Sequence, residues 1–506
     1  DSITTGDYNV GLGDSALTAT TTGAMNTAVG HLALGSNTEG SYNTALGRAS
    51  MQSNTTGTLN VAVGLASLDA NISGDNNVAV GKDAMYRNTT GSDNTASGYQ
   101  SLYNNTTGAE NVAVGANSLE TNTTGASNVA MGWKSLASNT TAGSNTGLGN
   151  EALRLTTTGA NNTAVGARAL YVNTTGSENT AVGRGALDAN TTAEDNTSIG
   201  YNSMSANTTA GDNTAVGARA MEANTTGSAN TTIGSRAMEA NTTGGKNTAV
   251  GKGASQVNTT GYHQTAIGYH ALNQCTTGQE NTAVGYFSLT NATTGNNNVA
   301  VGVDALRVNT TGLQNVAVGD RSGDSVTTGE KNTFIGRNAG ATVTTGSGNV
   351  CVGSQSGASE TTTNNQLWVA RDATGVSNSA TWIYGNSAGA CYQGNNSSSW
   401  TTTSDERVKK DIVDSPNGLA KIDALQVRNF NYRTPEEITA EGITGCDAAG
   451  LQTGVIAQEI ETVLPNAVTA SESGTKQVNT DPIFWAMVKA IQELSTKNDA
   501  LEARIT

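Results

Sequence analysis

The sequence has little of what builds a large globular core and, over most of its length, nothing that interrupts a β-sheet. Aromatic residues make up 4% of the 506 residues and charged residues 13%, both low for a globular chain. The prolines all lie near the end, at Pro416, Pro435, Pro465 and Pro482. Because proline cannot donate to a sheet ladder, its absence before Pro416 predicts continuous sheet there.

Three further absences limit the function classes. The four cysteines, Cys275, Cys351, Cys391 and Cys446, are far apart, so we expect buried small residues and neither a disulfide framework nor a metal site. The formal net charge is −15, whereas a protein that binds nucleic acid or an anionic membrane needs a basic surface. No apolar run is long enough to span a bilayer. We expect no membrane insertion and no cofactor.

What the chain does have is a repeat of 17 residues that runs 21 times from Asn9 to Asn349 without insertion or deletion. Each unit reads approximately Gly-x-x-Asn-Thr-Ala-Val-Gly-x-x-Ala-Leu-x-x-Asn-Thr-Thr, as in the units that begin at Gly23 and Gly40. Fixed-period self-similarity is typical of a solenoid.

One unit predicts one coil of that solenoid. Residues 26–30 alternate in size and polarity as a short strand does, and Gly30 ends the strand. A second apolar pair, Ala33-Leu34, precedes a polar turn in which Gly40 can take a positive φ. Because about four apolar positions cannot stabilise a coil alone, the coils must stack in continuous columns. At roughly 4.8 Å per coil, the stack would be a rod on the order of 100 Å long.

Asparagine recurs at two positions of the unit. The first column, which includes Asn26 and Asn43, is broken only by Gln264. Stacked amides bond along a fibre axis, so this column predicts an internal ladder. The second column lies in Asn-Thr-Thr triplets such as residues 88–90 and 122–124, which we interpret as an outer turn. The triplets also satisfy the glycosylation sequon, and glycans on them are the alternative.

The Asn-x-Ala-hydrophobic-Gly-x-x-Ala rhythm resembles the head repeats of trimeric autotransporter adhesins, which run on a shorter period. The resemblance implies a left-handed parallel β-roll or β-helix with three chains side by side and the second apolar face of each coil at the trimer interface. A single-chain solenoid is the alternative. The expected fold is mostly β, a trimeric parallel solenoid followed by a small α/β domain that ends in a coiled-coil helix.

The position after each closing glycine varies freely, which indicates a solvent-facing column. Its aromatic members are Tyr99, Trp133, Tyr201, Tyr269 and Tyr286. They are candidates for contact with a glycan, because rings stack on sugars, and ordinary surface residues are the alternative. The unbroken spacing leaves no loop for a pocket with paired carboxylates. We therefore expect no enzyme activity in the shaft.

The loss of the repeat divides the chain into three segments. Residues 1–353 are the predicted repeat shaft. Residues 354–403 hold two aromatic-bearing, strand-like runs at 365–370 and 381–385, and they resemble the trimeric β neck before the terminal domain of many phage fibres. Lysine, glutamate and proline then become common, which predicts a separate α/β domain over residues 404–506.

In this last segment the pattern predicts a helix at 419–425, a strand at 427–432, and a strand running into a helix that stops at Pro465. The final helix carries a heptad seam at alternating spacings of three and four. The seam residues are Phe484, Met487, Ile491, Leu494, Asn498, Leu501 and Ile505. Asn498 is the single polar member, of the kind that sets register and oligomer state. Three chains fit the seam, and two are the alternative.

Three motifs carry a second resemblance: Ser-Asp-Glu-Arg-Val-Lys-Lys-Asp-Ile at 404–412, Gly-Val-Ile-Ala-Gln-Glu at 454–459 with Leu-Pro at 464–465, and Lys-Ala-Ile-Gln-Glu-Leu at 489–494. They resemble the C-terminal intramolecular chaperone domain of endosialidase-type phage tailspikes and tail fibres, also found in the myelin regulatory factor family. The resemblance implies a domain that trimerises, templates the folding of the fibre before it, and then cuts itself off.

The same resemblance assigns roles at the cut. It implies cleavage between Thr403 and Ser404, with Ser404 as the nucleophile and Lys409 as the general base, while Asp405 and Arg407 shape the site. A lysine desolvated at a subunit interface can lose its proton near neutral pH and activate a hydroxyl. The alternative is a serine that caps a turn and a solvated lysine, because this spacing is common by chance.

The resulting expectation is a trimeric phage tail fibre for host attachment. Its partners would be copies of itself, a glycan or protein receptor on the host surface, and other tail proteins reached through a region before Asp1, where the sequence starts already in phase. It would reside in the virion, outside the cell, with the chaperone acting in the host cytoplasm during assembly. A glycan-depolymerising tailspike and a bacterial surface adhesin are the alternatives.

Overall fold

The structure is a computed structural model that describes residues 5–357, 361–370, 381–385, 391–393, 410–416, 418–433, 450–470 and 476–505. The chain divides into two compact units, Asp1–Ser399 and Trp400–Thr506.

The first unit is a parallel β-solenoid in which each 17-residue unit forms one coil. Each coil contributes one three-residue strand, and each strand pairs in parallel with the next, so that Thr27 lies beside Thr44 and Ala28 beside Ala45. These strands, β1 to β21, are Val10–Leu12, Thr27–Val29, Thr44–Leu46, Val61–Val63, Val78–Val80, Thr95–Ser97, Val112–Val114, Val129–Met131, Thr146–Leu148, Thr163–Val165, Thr180–Val182, Thr197–Ile199, Thr214–Val216, Thr231–Ile233, Thr248–Val250, Thr265–Ile267, Thr282–Val284, Val299–Val301, Val316–Val318, Thr333–Ile335 and Val350–Val352. The predicted β-solenoid of 17-residue repeats is confirmed.

Small and aliphatic side chains fill the coils in three columns. The middle residue of each strand, alanine in most coils, is fully buried, as at Ala28. Both residues of the second apolar pair, Ala33 and Leu34, are also fully buried. This pair therefore packs inside its own chain. The prediction that it forms the trimer interface is wrong, because it has no surface left for a partner.

The backbone around that pair alternates between right-handed and left-handed residues. Leu32 and Leu34 have φ values of 62° and 49°, a conformation that costs a residue with a side chain roughly 1–2 kcal/mol. The Leu32 N–H donates to the Asp14 carbonyl of one neighbouring coil, and the Leu34 N–H donates to the Ser50 carbonyl of the other, both at 3.0 Å. The alternation thus ties each coil to the coils on both sides.

Close backbone contact explains the closing glycine. At Gly30, φ is 136°, and an added Cβ would lie 2.4 Å from the carbonyl oxygen of Gly47 in the next coil. No side chain fits there. The glycine therefore recurs in every coil from Gly13 to Gly353.

Both asparagine columns are internal ladders. In the first, the Asn26 side chain accepts from the Asn43 N–H at 3.0 Å and donates to the Gly40 carbonyl at 2.9 Å. In the second, Asn54 donates to Asn37 Oδ1 at 2.8 Å, and Asn37 donates to the same Gly40 oxygen at 3.0 Å. In most coils one backbone carbonyl, usually of glycine and at Ala142, Ala193 and Ala210 of alanine, thus joins the two ladders. The first ladder is confirmed, and the interpretation of the second column as an outer turn is wrong.

The burial of the second column argues against glycans on the Asn-Thr-Thr triplets. Asn88 and Asn122 are fully buried. The Asn88 Nδ2 donates to Asn71 Oδ1 at 2.8 Å and to the Gly91 carbonyl at 2.9 Å. A glycan would need that nitrogen in solvent, so these triplets are structural.

One stretch of the shaft interrupts both ladders. Gln264 replaces asparagine in the first column, where its nitrogen contacts Cys275 Sγ at 3.2 Å and its oxygen accepts from the Ser255 hydroxyl at 3.1 Å. Cys275 and Ala292 replace asparagine in the second column. Burial raises the pKa of Cys275 to about 11, so its thiol stays neutral. Cys275 and Cys351 are both buried, as the sequence predicts.

The coil spacing continues past Gly353. Strand β22 (Leu367–Ala370) pairs in parallel with β21, and Gln366 extends the first asparagine column. Strand β23 (Thr381–Gly385) then pairs antiparallel with β22, and β24 (Cys391–Gln393) pairs antiparallel with β23. The first of the two aromatic-bearing runs is therefore a further coil of the solenoid, and antiparallel pairing starts after it.

Near this end of the shaft, the alanine column holds a large residue and the leucine column holds small ones. Phe334 takes the alanine position in the middle of β20, and Gly323 and Gly340 take the leucine position of the preceding coil and of its own coil. A Cβ at Gly340 would lie 2.3 Å from the Phe334 ring. Trp368 follows Gly357 in the same way. Each large ring fills space that glycine leaves, which keeps the core densely packed.

The second unit is a small α/β domain. Its elements are α1 (Gly418–Ala424), β25 (Arg428–Phe430), β26 (Gln452–Gly454), α2 (Ala457–Val463), a 3-10 turn (Pro465–Ala467), β27 (Val468–Ala470), β28 (Lys476–Val478) and α3 (Thr480–Ile505). Strands β25 and β26 pair antiparallel, as do β27 and β28. The three predicted helices are confirmed, and the predicted strand at 427–432 is shorter. No helix in the described ranges has the length and apolar character needed to cross a membrane.

Candidate functional site

The terminal helix α3 is buried on one side and exposed along its heptad seam. Ala486 is buried in a small core with Ile460, Leu464 and Ala467, and Ala490 is also buried. The exposed apolar seam residues are Phe484, Met487, Ile491, Leu494, Leu501 and Ile505. A row of large exposed apolar side chains marks a binding face. The polar seam residue Asn498 is exposed as well and donates to Glu502 at 3.2 Å.

Glu493 of α3 holds the start of α1. Its carboxylate oxygens accept from the N–H groups of Leu419 and Gly418, both at 2.9 Å. Both hydrogen bonds lower the pKa of the Glu493 carboxyl, the bond from Leu419 more than the bond from Gly418. Gly418 lies so close to α3 that an added Cβ would be 2.5 Å from the Ala490 nitrogen. The carboxylate therefore supplies the acceptor that the first turn of α1 lacks.

A second glutamate ties β25 to α2. The Arg428 guanidinium donates to both carboxylate oxygens of Glu459, at 3.1 and 2.8 Å. The hydrogen bonds that Arg428 donates to the Glu459 carboxylate, and then the negative charge of that carboxylate, raise the pKa of Arg428. Glu459 and Glu493 both lie in motifs quoted above for the chaperone resemblance, although the sequence did not assign them these structural roles. The sequence contained one signal for the role of Glu493. The first turn of α1 has no acidic residue of its own, so its unpaired N–H groups need an acceptor from another element.

The predicted cleavage residues lie outside the described part of the chain. They are Thr403, Ser404, Asp405, Arg407 and Lys409. Their roles stay predictions. Among the described residues, no group of three histidine, cysteine, aspartate or glutamate side chains could hold a metal ion.

The aromatic column of the shaft is exposed, as predicted. Tyr99, Trp133, Tyr201, Tyr269 and Tyr286 are 40–49% exposed. Three of these rings each have a cation nearby, as where Lys134 Nζ lies 4.7 Å from the Trp133 ring centre. Tyr269 and Tyr286 are one unit apart, and their rings stack at 5.5 Å with an interplanar angle of 12°.

Two residues that sequence reasoning missed extend this pair into a cluster. His270 lies 4.3 Å from Tyr269, and Phe287 lies 4.4 Å from Tyr286, between ring centres. The His270 and Phe287 rings also stack, at 5.6 Å. The signal was present as two aromatic dipeptides one unit apart. The four rings form a continuous surface that could stack on a sugar or another flat apolar group.

A comparison with protein families bears on the second unit. A family model described as chaperone of endosialidase matches residues 404–469. The match starts at the serine of the predicted cut and ends in β27. The C-terminal part of the chain is therefore similar to this family. The similarity suggests a protein of the tail fibre or tailspike type with a C-terminal chaperone, and it implies self-assembly as a trimer.

Proposed function

We propose that this chain is a phage tail fibre for host-surface attachment, assembled as a trimer by a C-terminal chaperone that then cuts itself off between Thr403 and Ser404. The observation that carries the proposal is the family match that begins at Ser404. The exposed seam of α3 supports the trimer, because a partner would bury its apolar residues.

The shaft gives such a chaperone a physical purpose. Parallel coils fold slowly and leave strand edges open meanwhile. Because the units are nearly alike, three chains could align with a shift of one unit and recover most contacts. A domain that clamps the three C-terminal ends prevents this shift. Once the rod has formed, removal of the clamp leaves a kinetically trapped trimer.

The cut would proceed as an acyl shift followed by hydrolysis. Lys409 takes the proton of the Ser404 hydroxyl, and the oxygen attacks the Thr403 carbonyl carbon. The peptide bond to the Ser404 nitrogen breaks, the nitrogen gains a proton, and an ester joins Thr403 to the serine oxygen. Water then hydrolyses the ester, which leaves a carboxylate on Thr403. Asp405 and Arg407 would shape this site.

Attachment would use the outer surface of the shaft. The candidates are the five rings Tyr99, Trp133, Tyr201, Tyr269 and Tyr286, with a host glycan or protein as the receptor. Other tail proteins would be further partners of the fibre. The fibre would belong to the virion, and the chaperone would act in the host cytoplasm during assembly.

The test compares four chains by intact mass after denaturation: the unchanged chain, Ser404→Ala, Lys409→Ala and Lys410→Ala. We expect the unchanged chain and Lys410→Ala to lose residues 404–506, and the other two to stay whole. Lys410→Ala is the matched control, since it removes the neighbouring lysine. If all four stay whole, the domain does not cut the chain and Lys409 has no catalytic role. Light scattering on the uncut variants tests the trimer.

A further inference from the structure

The outer face of the strand stack carries no charged residue along the whole shaft, and it combines an aliphatic column with a column of threonine and valine. We define the strand face as the first and third residues of strands β1 to β21. The first residue is always threonine or valine, and the third is aliphatic in every strand except at Ser97. The large side chains on it are exposed or half-buried, and Leu46, Met131, Ile233 and Ile335 are 43–46% exposed.

Other outward positions of the same coils do carry charge. The column after the closing glycine includes His31, Arg48, Lys82, Asp320 and Arg337. The coil therefore tolerates charge at its surface, and the strand face differs from the rest. Single exposed aliphatic side chains need no explanation, but a continuous uncharged band marks an interaction surface.

We propose that the strand face is the surface through which copies of this chain pack on one another, parallel and with matching coils level. The inference rests on the proposed trimer for the identity of the partner. It replaces the second apolar pair, which the structure buries inside each coil, as the interface.

The dimensions fit such a contact. About 21 coils at roughly 4.8 Å and a band about 10 Å wide give on the order of 1,000 Å² per chain, or about 500 Å² towards each of two neighbours in a trimer. The three chains together would bury roughly 3,000 Å², more than the roughly 1,600 Å² of a standard interface. The occupant must present an equally long, uncharged band with the same repeat distance. A second copy of the strand face meets both conditions, and level coils let every valine or isoleucine meet its equivalent.

Cross-linking at Ser97 tests the packing directly. Ser97→Cys is made in the full chain together with Cys391→Ser and Cys446→Ser, while the buried Cys275 and Cys351 stay. A short bismaleimide can bridge faces that pack about 10 Å apart. Ser235→Cys, at an exposed position after a closing glycine, is the matched control. Because Ser97 lies in the sixth of 21 strands, antiparallel copies would hold it many coils apart.

We expect most Ser97→Cys chains to run as linked pairs on a denaturing gel and Ser235→Cys chains to stay single. Equal linking at both positions, or none at Ser97, overturns the strand face as the interface. Light scattering on the same samples separates the two proposals. A trimer without linking at Ser97 refutes the strand face alone, whereas a monomer refutes the trimer as well.

A charge on the strand face provides an independent measurement. Val216→Lys places an ammonium group in the proposed interface, and Ala218→Lys places one two residues further on, at an exposed position of the same coil. We expect only Val216→Lys to lower the temperature at which the trimer dissociates. Equal temperatures for the two variants would contradict the proposal.

Discussion

Phe334 holds a position that alanine holds in most coils, yet the coil accommodates it because Gly323 and Gly340 leave space for the ring. The shaft core therefore constrains summed volume across neighbouring columns rather than the residue at any one position. The same account covers Trp368 and Gly357.

This account predicts coupled effects at Phe334 and Gly340. Phe334→Ala should cost about 3–5 kcal/mol of unfolding free energy through the cavity it leaves, and Gly340→Leu should overpack the ring. The double variant recreates the pairing of Ala28 with Leu34, and the φ of 58° at Gly340 is close to the 49° that Leu34 adopts. We expect it to be less destabilised than the sum of the two single changes. Thermal unfolding followed by circular dichroism measures this, and strictly additive effects would contradict it.

At the residue scale the sequence predicts part of the interior. Its regular spacing identifies the first asparagine column as a ladder. The second column was not predicted, because a sequon at a turn has the same pattern whether the amide is inside or outside. The Asn37 amide is held inside the coil by its hydrogen bond to the Gly40 carbonyl, which also accepts from Asn26 of the first ladder. That shared acceptor cannot be recognised from the sequence pattern.

At the scale of elements, α1 depends on a carboxylate from another helix. Glu493 accepts from the start of α1 across a separation of 74 residues at Leu419, and Arg428 meets Glu459 across 31 residues. Helix periodicity predicts α1, α2 and α3 individually. It cannot predict such pairs, because the chain between them decides which side chains meet.

Glu493→Gln should loosen α1. The amide offers one acceptor oxygen where the carboxylate offers two, so amide hydrogen exchange over residues 418–424 should become faster. Asp499→Asn, a change of the same kind on α3, is the control and should leave that exchange unchanged. Equal protection in the unchanged chain and in Glu493→Gln would show that the carboxylate does not hold α1.

The lowered pKa of Glu493 gives this contact a pH dependence. Because the folded-state pKa lies below the unfolded value, the stabilisation is complete above the unfolded pKa and disappears as the pH falls through the folded pKa. After correction for the intrinsic exchange rate, the unchanged chain should lose α1 protection in acid. Glu493→Gln should show no such loss, since its side chain does not titrate.

At the scale of the whole shaft, the constant period makes coils interchangeable. Removal of residues 163–179 joins Asn162 to Thr180 and leaves every column continuous, so we expect this variant to match the unchanged shaft in resistance to protease and in thermal stability. Removal of residues 163–178 shifts the next strand by one position, which turns its apolar residue outward. We expect that variant to be cut by protease within the altered coils. Equal resistance of both deletions would contradict the importance of the period.

The sequence predicts the solenoid and its period, and it misses where the solenoid ends. Residues 361–370 depart from the repeat, so similarity does not reveal them as a coil. They pair with β21 nonetheless, because Gln366 and Trp368 occupy the ladder and core positions. Stacking needs side chains that fit the columns, and it does not need the consensus sequence.

The interruption of both amide ladders between Asn258 and Asn309 has a mechanical consequence. When a fibre is pulled along its length, its coils bear the load in series, and each junction carries the same force. Around Gln264 and Cys275 bonds of both ladders are lost, whereas at Thr156, Val326 and Val343 the second column alone is interrupted. Tension would therefore separate the coils at this stretch first, before it disrupts the coils elsewhere in the shaft.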